Sequence, residues 1–240
     1  MALVQGDDGN NNLFGFASDD LIEGFGGNDY LVGLGGADAL YGDAGNDTLS
    51  GGAGDDDLFG GSGLDWARFQ GNISEYRVTS FSDHVNVNDV TFDGGLDYVG
   101  ADVERIQFDD LGIAYDLYGN AGAAARLIGT LFGGEVLYSE PVYMQIILDA
   151  FDDGYTAEQI AAAAIDIVYP TYTDEQLADL IYYNLAGYYG SQGEIDAIES
   201  LIYDYGDAYI TVAAGYTSYN DVNIDFAGLV ANGVDFLPLI

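Results

Sequence analysis

Residues 6–68 read GDDGNNNLF, GFASDDLIE, GFGGNDYLV, GLGGADALY, GDAGNDTLS, GGAGDDDLF and GGSGLDWAR, seven units of nine residues each. Every unit opens with glycine, at 6, 15, 24, 33, 42, 51 and 60. The sixth position runs Asn11, Asp20, Asp29, Asp38, Asp47, Asp56 and Asp65, and the eighth runs Leu13, Ile22, Leu31, Leu40, Leu49, Leu58 and Ala67. A Gly/Asp-rich disordered linker has a similar composition, but linkers do not hold an apolar residue at every ninth position. Glycines at the first and fourth positions permit positive φ and close backbone approach, so each unit begins with a tight turn. The remaining x-D-x-U-x supplies one short strand whose eighth-position side chain points inward.

The pattern G-G-x-G-x-D-x-U-x resembles the RTX calcium-binding nonapeptide repeat. The resemblance implies a parallel β-roll in which two units complete one coil, so residues eighteen apart stack. Leu13, Leu31, Leu49 and Ala67 then form one inner column and Ile22, Leu40 and Leu58 the other. The acidic positions stack as Asp20 with Asp38, Asp29 with Asp47, Asp38 with Asp56, and Asp47 with Asp65. Like charges held that close repel unless a cation lies between them. Calcium suits the gap, being a hard ion that takes carboxylate and carbonyl oxygens in flexible geometry. The expected ligands are the side chains of Asp20, Asp29, Asp38, Asp47, Asp56, Asp65 and Asn11, with turn backbone from Gly24, Gly27, Gly33, Gly36, Gly42, Gly45, Gly51 and Gly54. About four ions are expected between the aspartate pairs, with a weaker fifth where Asn11 faces Asp29.

Charge narrows the function classes. The chain has 240 residues, 41 of them acidic and four basic, all arginine (Arg68, Arg77, Arg105, Arg126), for a net charge of -37. Nucleic acid and anionic membrane surfaces would be repelled, whereas divalent cations would be drawn in. Hydrophobic residues make up 49%, enough to bury a core, and no stretch approaches a membrane span, so no membrane insertion is expected. There is no cysteine, so disulfides staple nothing. The start, MALVQGDDGN, lacks a basic n-region and an apolar h-region, so no cleavable signal is expected. The resemblance implies an extracellular or cell-surface protein exported by type I secretion, and the ending VDFLPLI resembles such a C-terminal signal.

Three segments follow from texture: a β-roll over 1–68, a β-rich capping segment over 69–115 and a helical domain over 116–240. WARF, YRVTSF, HVNVNDV, LDYV and VERIQFD carry strand signals between Gly, Asn and Asp breakers. A solenoid must cover its last coil, and VERIQFDD resembles the V-E-R-x-x-F-x-D segment found just after RTX repeats. The fold class is therefore β + α, a parallel β-roll with a β cap followed by a separate all-α domain. Helices are expected over 122–132, 141–151, 157–169, 174–189, 194–205, 208–219 and 226–231, with capping boxes at Thr156/Gln159, Thr173/Gln176 and Ser191/Glu194. DLYGNAGAAARLIGTLF, from Asp116, resembles the opening of DUF4214, a helical family of unknown function, and LIYYNLAGYYGSQG echoes a later segment of it. In that echo Tyr188 replaces the family's arginine and the P-D pair is absent.

Catalytic signatures are missing. His84 is the one histidine, which excludes an HExxH zinc site, and there is no G-x-S-x-G elbow, cysteine nucleophile, P-loop or lysine. His84 beside Asp83 reads as a packing or surface residue, and no enzyme is expected. The helical half is rich in tyrosine: Tyr138, Tyr143, Tyr155, Tyr169, Tyr172, Tyr182, Tyr183, Tyr188, Tyr189, Tyr203, Tyr205, Tyr209, Tyr216 and Tyr219. Adjacent pairs such as Tyr182–Tyr183 cannot both face one core, so some rings must be exposed, and exposed tyrosine favours protein contacts. The expected function is a secreted, calcium-dependent structural protein that self-assembles as a homo-oligomer or polymer into a surface layer, filament or matrix. The alternative is a monomeric adhesin that grips a protein or a cell-surface glycan.

Overall fold

The computed structural model describes residues 1–81, 83–91, 95–116, 119–133, 141–186, 189–206, 208, 211 and 234–236. The chain divides into two compact units, one running to Tyr115 and the other starting at Asp116.

In the first unit the nonapeptides form strands β1 (Leu3–Gln5), β2 (Asn12–Phe14), β3 (Leu21–Glu23), β4 (Tyr30–Gly35), β5 (Ala39–Ala44), β6 (Thr48–Ala53), β7 (Asp57–Ser62) and β8 (Trp66–Arg68). Odd strands pair in parallel in one sheet and even strands in the other. Registers are eighteen residues apart, as in Leu31 opposite Leu49 and Ile22 opposite Leu40. The two sheets face each other across columns of eighth-position side chains. Ile22, Leu31, Leu40, Leu49, Leu58 and Ala67 have no exposed surface. Each leucine so enclosed contributes about 1.5–3 kcal/mol relative to exposure, so the column is the main source of cohesion within the roll.

Segment 69–115 does more than cap. A 3-10 turn (Ile73–Glu75) leads into the antiparallel hairpin β9 (Tyr76–Ser80) and β10 (His84–Asp89). The chain then returns as β11 (Leu96–Gly100), parallel to β7, and β12 (Arg105–Gln107), parallel to β8. Val99 sits opposite Leu58 and Ile106 opposite Ala67, so both join the eighth-position columns. A further coil is thus laid onto the roll after an excursion, and β13 (Gly112–Ala114) then pairs antiparallel with β12. On the outer face Tyr41 stacks on Phe59 at 5.0 Å and His84 lies between Phe81 and Tyr98 at 4.5 Å from each. His84 also shares a 2.8 Å hydrogen bond with Asp83, so its surroundings are those of a packed strand residue.

Turn geometry explains the glycines. The fourth position is left-handed, as at Gly45 with φ +132°, and a Cβ there would overlap the carbonyl of Gly27 one coil back. Gly45→Ala is therefore expected to lower stability in calcium by more than about 3 kcal/mol, because strain and overlap add. Thermal unfolding measures it against Gly154→Ala, where φ is +88° but nothing lies within 4 Å of the added methyl. The control should cost only about 1–2 kcal/mol, the strain of a left-handed alanine without any overlap. The second position is also left-handed, and Phe25, Leu34 and Asp43 adopt it at φ 72°, 80° and 71° without the help of glycine.

The second unit holds α1 (Asn120–Phe132), α2 (Pro141–Asp152), α3 (Ala157–Val168), α4 (Asp174–Ala186) and α5 (Gln192–Tyr205), together with the short strand β14 (Val234–Phe236). Nearly the whole length of α1 is buried, which its alanines and glycines make feasible by letting neighbouring helices approach closely. It packs against α2 and α4, and α4 packs against α5. The Asn184 side-chain amide donates to the Thr130 carbonyl at 2.9 Å, tying α4 to α1. All three capping boxes form. At Ser191 the box also involves Tyr182, whose hydroxyl donates to Glu194 Oε1 at 2.7 Å, and these hydrogen bonds hold the Glu194 carboxyl down to about 2. The expected helices over 208–219 and 226–231 lie, apart from residues 208 and 211, outside the described residues.

Candidate metal centre

The sixth-position carboxylates run as two ladders along the turns. In each, the Oδ1 of one aspartate accepts the backbone N–H of the residue eighteen positions earlier. Asn11 N–H donates to Asp29 and Asp20 N–H to Asp38, both at 2.7 Å. Asp29 donates to Asp47 at 2.7 Å, Asp38 to Asp56 at 2.8 Å and Asp47 to Asp65 at 2.7 Å. The predicted pairs are thus neighbours on adjacent coils. The fifth position makes a second set of staples running the other way, from Asn28 N–H to Asn10 Oδ1 at 2.8 Å and from Asn46 N–H to Asn28 Oδ1 at 2.9 Å. That set escapes the sequence pattern because Asn, Asp, Ala and Leu all occur at the fifth position.

The other carboxylate oxygen is the informative one. Oδ2 of Asp29, Asp38, Asp47, Asp56 and Asp65 is buried and has no hydrogen-bond partner. A buried polar atom left without a partner costs about 1–3 kcal/mol, and more when charged, and bound cations would satisfy all five oxygens. Asp20 differs, because its Oδ2 accepts the Phe16 N–H at 2.7 Å. Asn11 likewise accepts from Asp7 N–H at 2.7 Å.

Carbonyls complete the donor set. A Cβ placed on Gly33 would collide with Asp38 Oδ2 and lie 2.6 Å from the Gly51 carbonyl, and one on Gly42 would lie 2.6 Å from the Gly60 carbonyl. The carbonyls of Gly24, Gly33, Gly42 and Gly51 each face the first glycine of the preceding coil. Those of Gly27, Gly36, Gly45 and Gly54 face the fourth-position glycine of the following one. The first-position carbonyls lie close to sixth-position carboxylates, as Gly51 O and Asp38 Oδ2 do at Gly33, whereas the fourth-position carbonyls lie beside fifth-position side chains, as Gly27 O and Asn28 Oδ1 do at Gly45. The cradle is a pair of carboxylates with stacked carbonyls, and among the described residues no group of three or more His, Cys, Asp or Glu side chains is gathered for a metal. A donor set made wholly of oxygen fits a hard divalent ion such as calcium and would not select zinc.

Electrostatics agree. Burial raises the carboxyls of Asp29, Asp38 and Asp47 above the usual range, backbone hydrogen bonds oppose it, and neighbouring carboxylates add to it. Burial likewise lifts Asp56 to about 6 and Asp65 to about 7. At the fifth position the opposite holds, since exposed Asp19 is lowered by the Ala37 N–H it accepts. From Asp29 to Asp65 the carboxylates are therefore charged only at a cost that a cation would offset.

The described structure also brings in residues outside the nonapeptides. Asp97 Oδ1 accepts the Asp56 N–H at 3.0 Å and Glu104 Oε2 accepts the Asp65 N–H at 2.8 Å. Both extend the ladders onto the coil of β11 and β12. A signal for the first was present, because Gly95–Val99 reads G-L-D-Y-V and so keeps the G-x-D-x-U spacing of the repeats.

A family described as the RTX calcium-binding nonapeptide repeat (4 copies) matches residues 5–40 and 32–67. The first unit is thus a parallel β-roll of nonapeptide repeats, and repeats of this class bind calcium. The match ends at residue 67 and does not reach the segment that resembles DUF4214. No curated protein matches the chain. Among solved structures, the extracellular lipase LipA from Serratia marcescens is similar at 24% identity over 40% of this chain and 14% of its own, with a TM-score of 0.23. A likeness that partial transfers nothing from the lipase to this chain. Repeats of this kind are typical of secreted proteins, and among the described residues no helix is long and apolar enough to cross a membrane.

Proposed function

We propose that this chain is a non-catalytic, extracellular structural protein that folds when it meets calcium and then self-assembles into a surface layer, filament or matrix. The carrying observation is the row of buried, unpartnered Oδ2 atoms from Asp29 to Asp65. Without a cation these charges oppose coil stacking, so binding free energy becomes folding free energy. The ligands are the oxygens of Asp20, Asp29, Asp38, Asp47, Asp56 and Asp65 with the turn carbonyls, and Asn11 supplies a weaker end. Assembly draws support from exposed rings on the helical unit, with Tyr155 at 56%, Tyr189 at 72% and Tyr203 at 84% exposure. Other rings are committed to the fold, as with Tyr169, whose hydroxyl donates to the Leu131 carbonyl at 2.8 Å. Tyr138, Tyr188, Tyr209, Tyr216 and Tyr219 lie outside the described residues.

The test is to strip the full chain with EGTA, add calcium back, and follow circular dichroism together with light scattering. Both β-signal and particle size are expected to rise. Folding with no growth in size sinks the assembly claim, and a monomer that then retains a glycan or protein ligand favours the adhesin. No response of the β-signal sinks the calcium claim.

A further inference from the structure

We infer that calcium binding continues beyond the nonapeptides, into the coil that begins at Gly95, with one further ion held between Asp56 and Asp97; this rests on the calcium reading of the repeats.

Three sets of observations carry it. The first is equivalence of backbone. Gly95 is left-handed at φ +83°, and a Cβ on it would overlap the Gly54 carbonyl, just as one on Gly54 (φ +127°) would overlap that of Gly36. Leu96 N–H donates to Asp55 Oδ1 at 2.8 Å, the fifth-position staple, and Tyr98 N–H donates to the Asp56 carbonyl at 2.8 Å, as Asp57 N–H does to Asp38 at 2.8 Å. Position by position, Gly95, Leu96, Asp97, Tyr98 and Val99 therefore occupy the fourth to eighth places of a repeat. The excursion through β9 and β10 hides this by stretching the spacing from eighteen residues to forty-one.

The second is an unmet demand. Asp56 is 1% exposed, and its Oδ2 turns toward Gly51 with no hydrogen-bond partner, although its neighbour Asp97 is also buried, at 4% exposure. The backbone hydrogen bond from Asp56 to Asp97 repeats that from Asp38 to Asp56 one coil earlier, and the unpartnered oxygen in the new pair is Asp56 Oδ2. The third is access. A cleft of about 370 Å³, lined by Gly52, Ala53, Arg68 and Asp89 among others, reaches Asp97. An ion can reach the Asp97 carboxylate through it.

The opposite ladder ends differently. There the turn matching Gly60–Asp65 is two residues shorter, since Asp102 engages Gly61 at a spacing of forty-one residues but Glu104 engages Asp65 at thirty-nine. Buried Val103 stands where a fourth-position glycine would be needed. The longer Glu104 side chain reaches back to Asp65 N–H and closes the coil. One additional ion is expected, not two.

The experiment counts calcium bound to the full-length chain by native mass spectrometry, using calcium alone as the probe. Asp97→Asn keeps the Oδ1 acceptor for Asp56 and is expected to bind one ion fewer than the unsubstituted chain, while Glu104→Gln binds the same number. Unchanged stoichiometry in Asp97→Asn overturns the inference, and a concurrent loss of ions in Asp47→Asn shows that the nonapeptide reading stands regardless. A chain that binds no calcium overturns both. Should Asp97→Asn fail to fold, anomalous scattering from calcium-loaded crystals of the unsubstituted protein decides. A peak between the carboxylates of residues 56 and 97 supports the site, and its absence beside a peak at Asp38 and Asp56 removes it.

Discussion

Asp47→Ala is expected to raise the calcium concentration at the folding midpoint by about tenfold or more, equivalent to about 1.4 kcal/mol of lost coupling. Asp47 is 0% exposed, accepts the Asp29 N–H, donates its own N–H to Asp65, and holds an Oδ2 that no protein group satisfies. It is shared by two carboxylate pairs, so its loss weakens two cradles. Asp38→Ala should act alike, because Asp38 is shared between Asp20 and Asp56. Asp20→Ala should shift the midpoint less. Its Oδ1 accepts the Ala2 N–H at 2.7 Å and its Oδ2 the Phe16 N–H at 2.7 Å, so both oxygens are already engaged by the outermost coil. Alanine also strands a backbone N–H, a cost unrelated to metal. Asp47→Asn retains the acceptor and separates the two effects: a shift that persists in the asparagine variant belongs to calcium. The readout is far-UV circular dichroism against free calcium. Equal midpoints for the variants at 20, 38 and 47 would contradict pairing across adjacent coils.

The roll was legible because its two requirements recur at a fixed period. An apolar residue every nine positions sets the core columns and left-handed glycine sets the turns, and with two units per coil supplied by the resemblance Leu31 falls opposite Leu49. The coil of β11 and β12 was not legible, since the hairpin removes the period that counting relies on. Its local pattern at Gly95–Val99 survives, but one G-x-D-x-U in a chain with 35 glycines and 41 acidic residues has little weight until topology places it beside β7. Helix starts at Thr156, Thr173 and Ser191 were legible because a capping box is a local device. Burial of Arg105 (0% exposed) and Arg126 (7%) was not, because arginine in so acidic a chain reads as surface charge. Which oxygen of each aspartate is satisfied depends on contacts between coils, and no spacing rule contains it.

With calcium chelated, acidification is expected to restore the roll. The folded carboxyls of Asp56, Asp65 and Asp97 are held up at about 6, about 7 and about 8, burial being the largest cause in each and neighbouring carboxylates adding to it. In an unfolded chain the same groups titrate near about 3.9. The folded state therefore binds protons more tightly, and its stabilisation by them is fully present below about pH 4 and is lost as pH rises through about 6 to 8. Protonation does part of what calcium does, removing like charge from the stacked turns without filling the cradle. The expected result is a calcium-free protein whose β-signal grows steadily from pH 8 to pH 4, whereas the calcium-loaded protein is flat over most of that span and weakens toward its acid end as protons compete for the carboxylates. Asp97→Asn leaves that position uncharged at every pH, so the calcium-free roll should persist to higher pH than in the unsubstituted chain. A calcium-free β-signal that is constant, or that falls on acidification, would show that these carboxylates do not oppose coil stacking and that charge is not what holds the roll open.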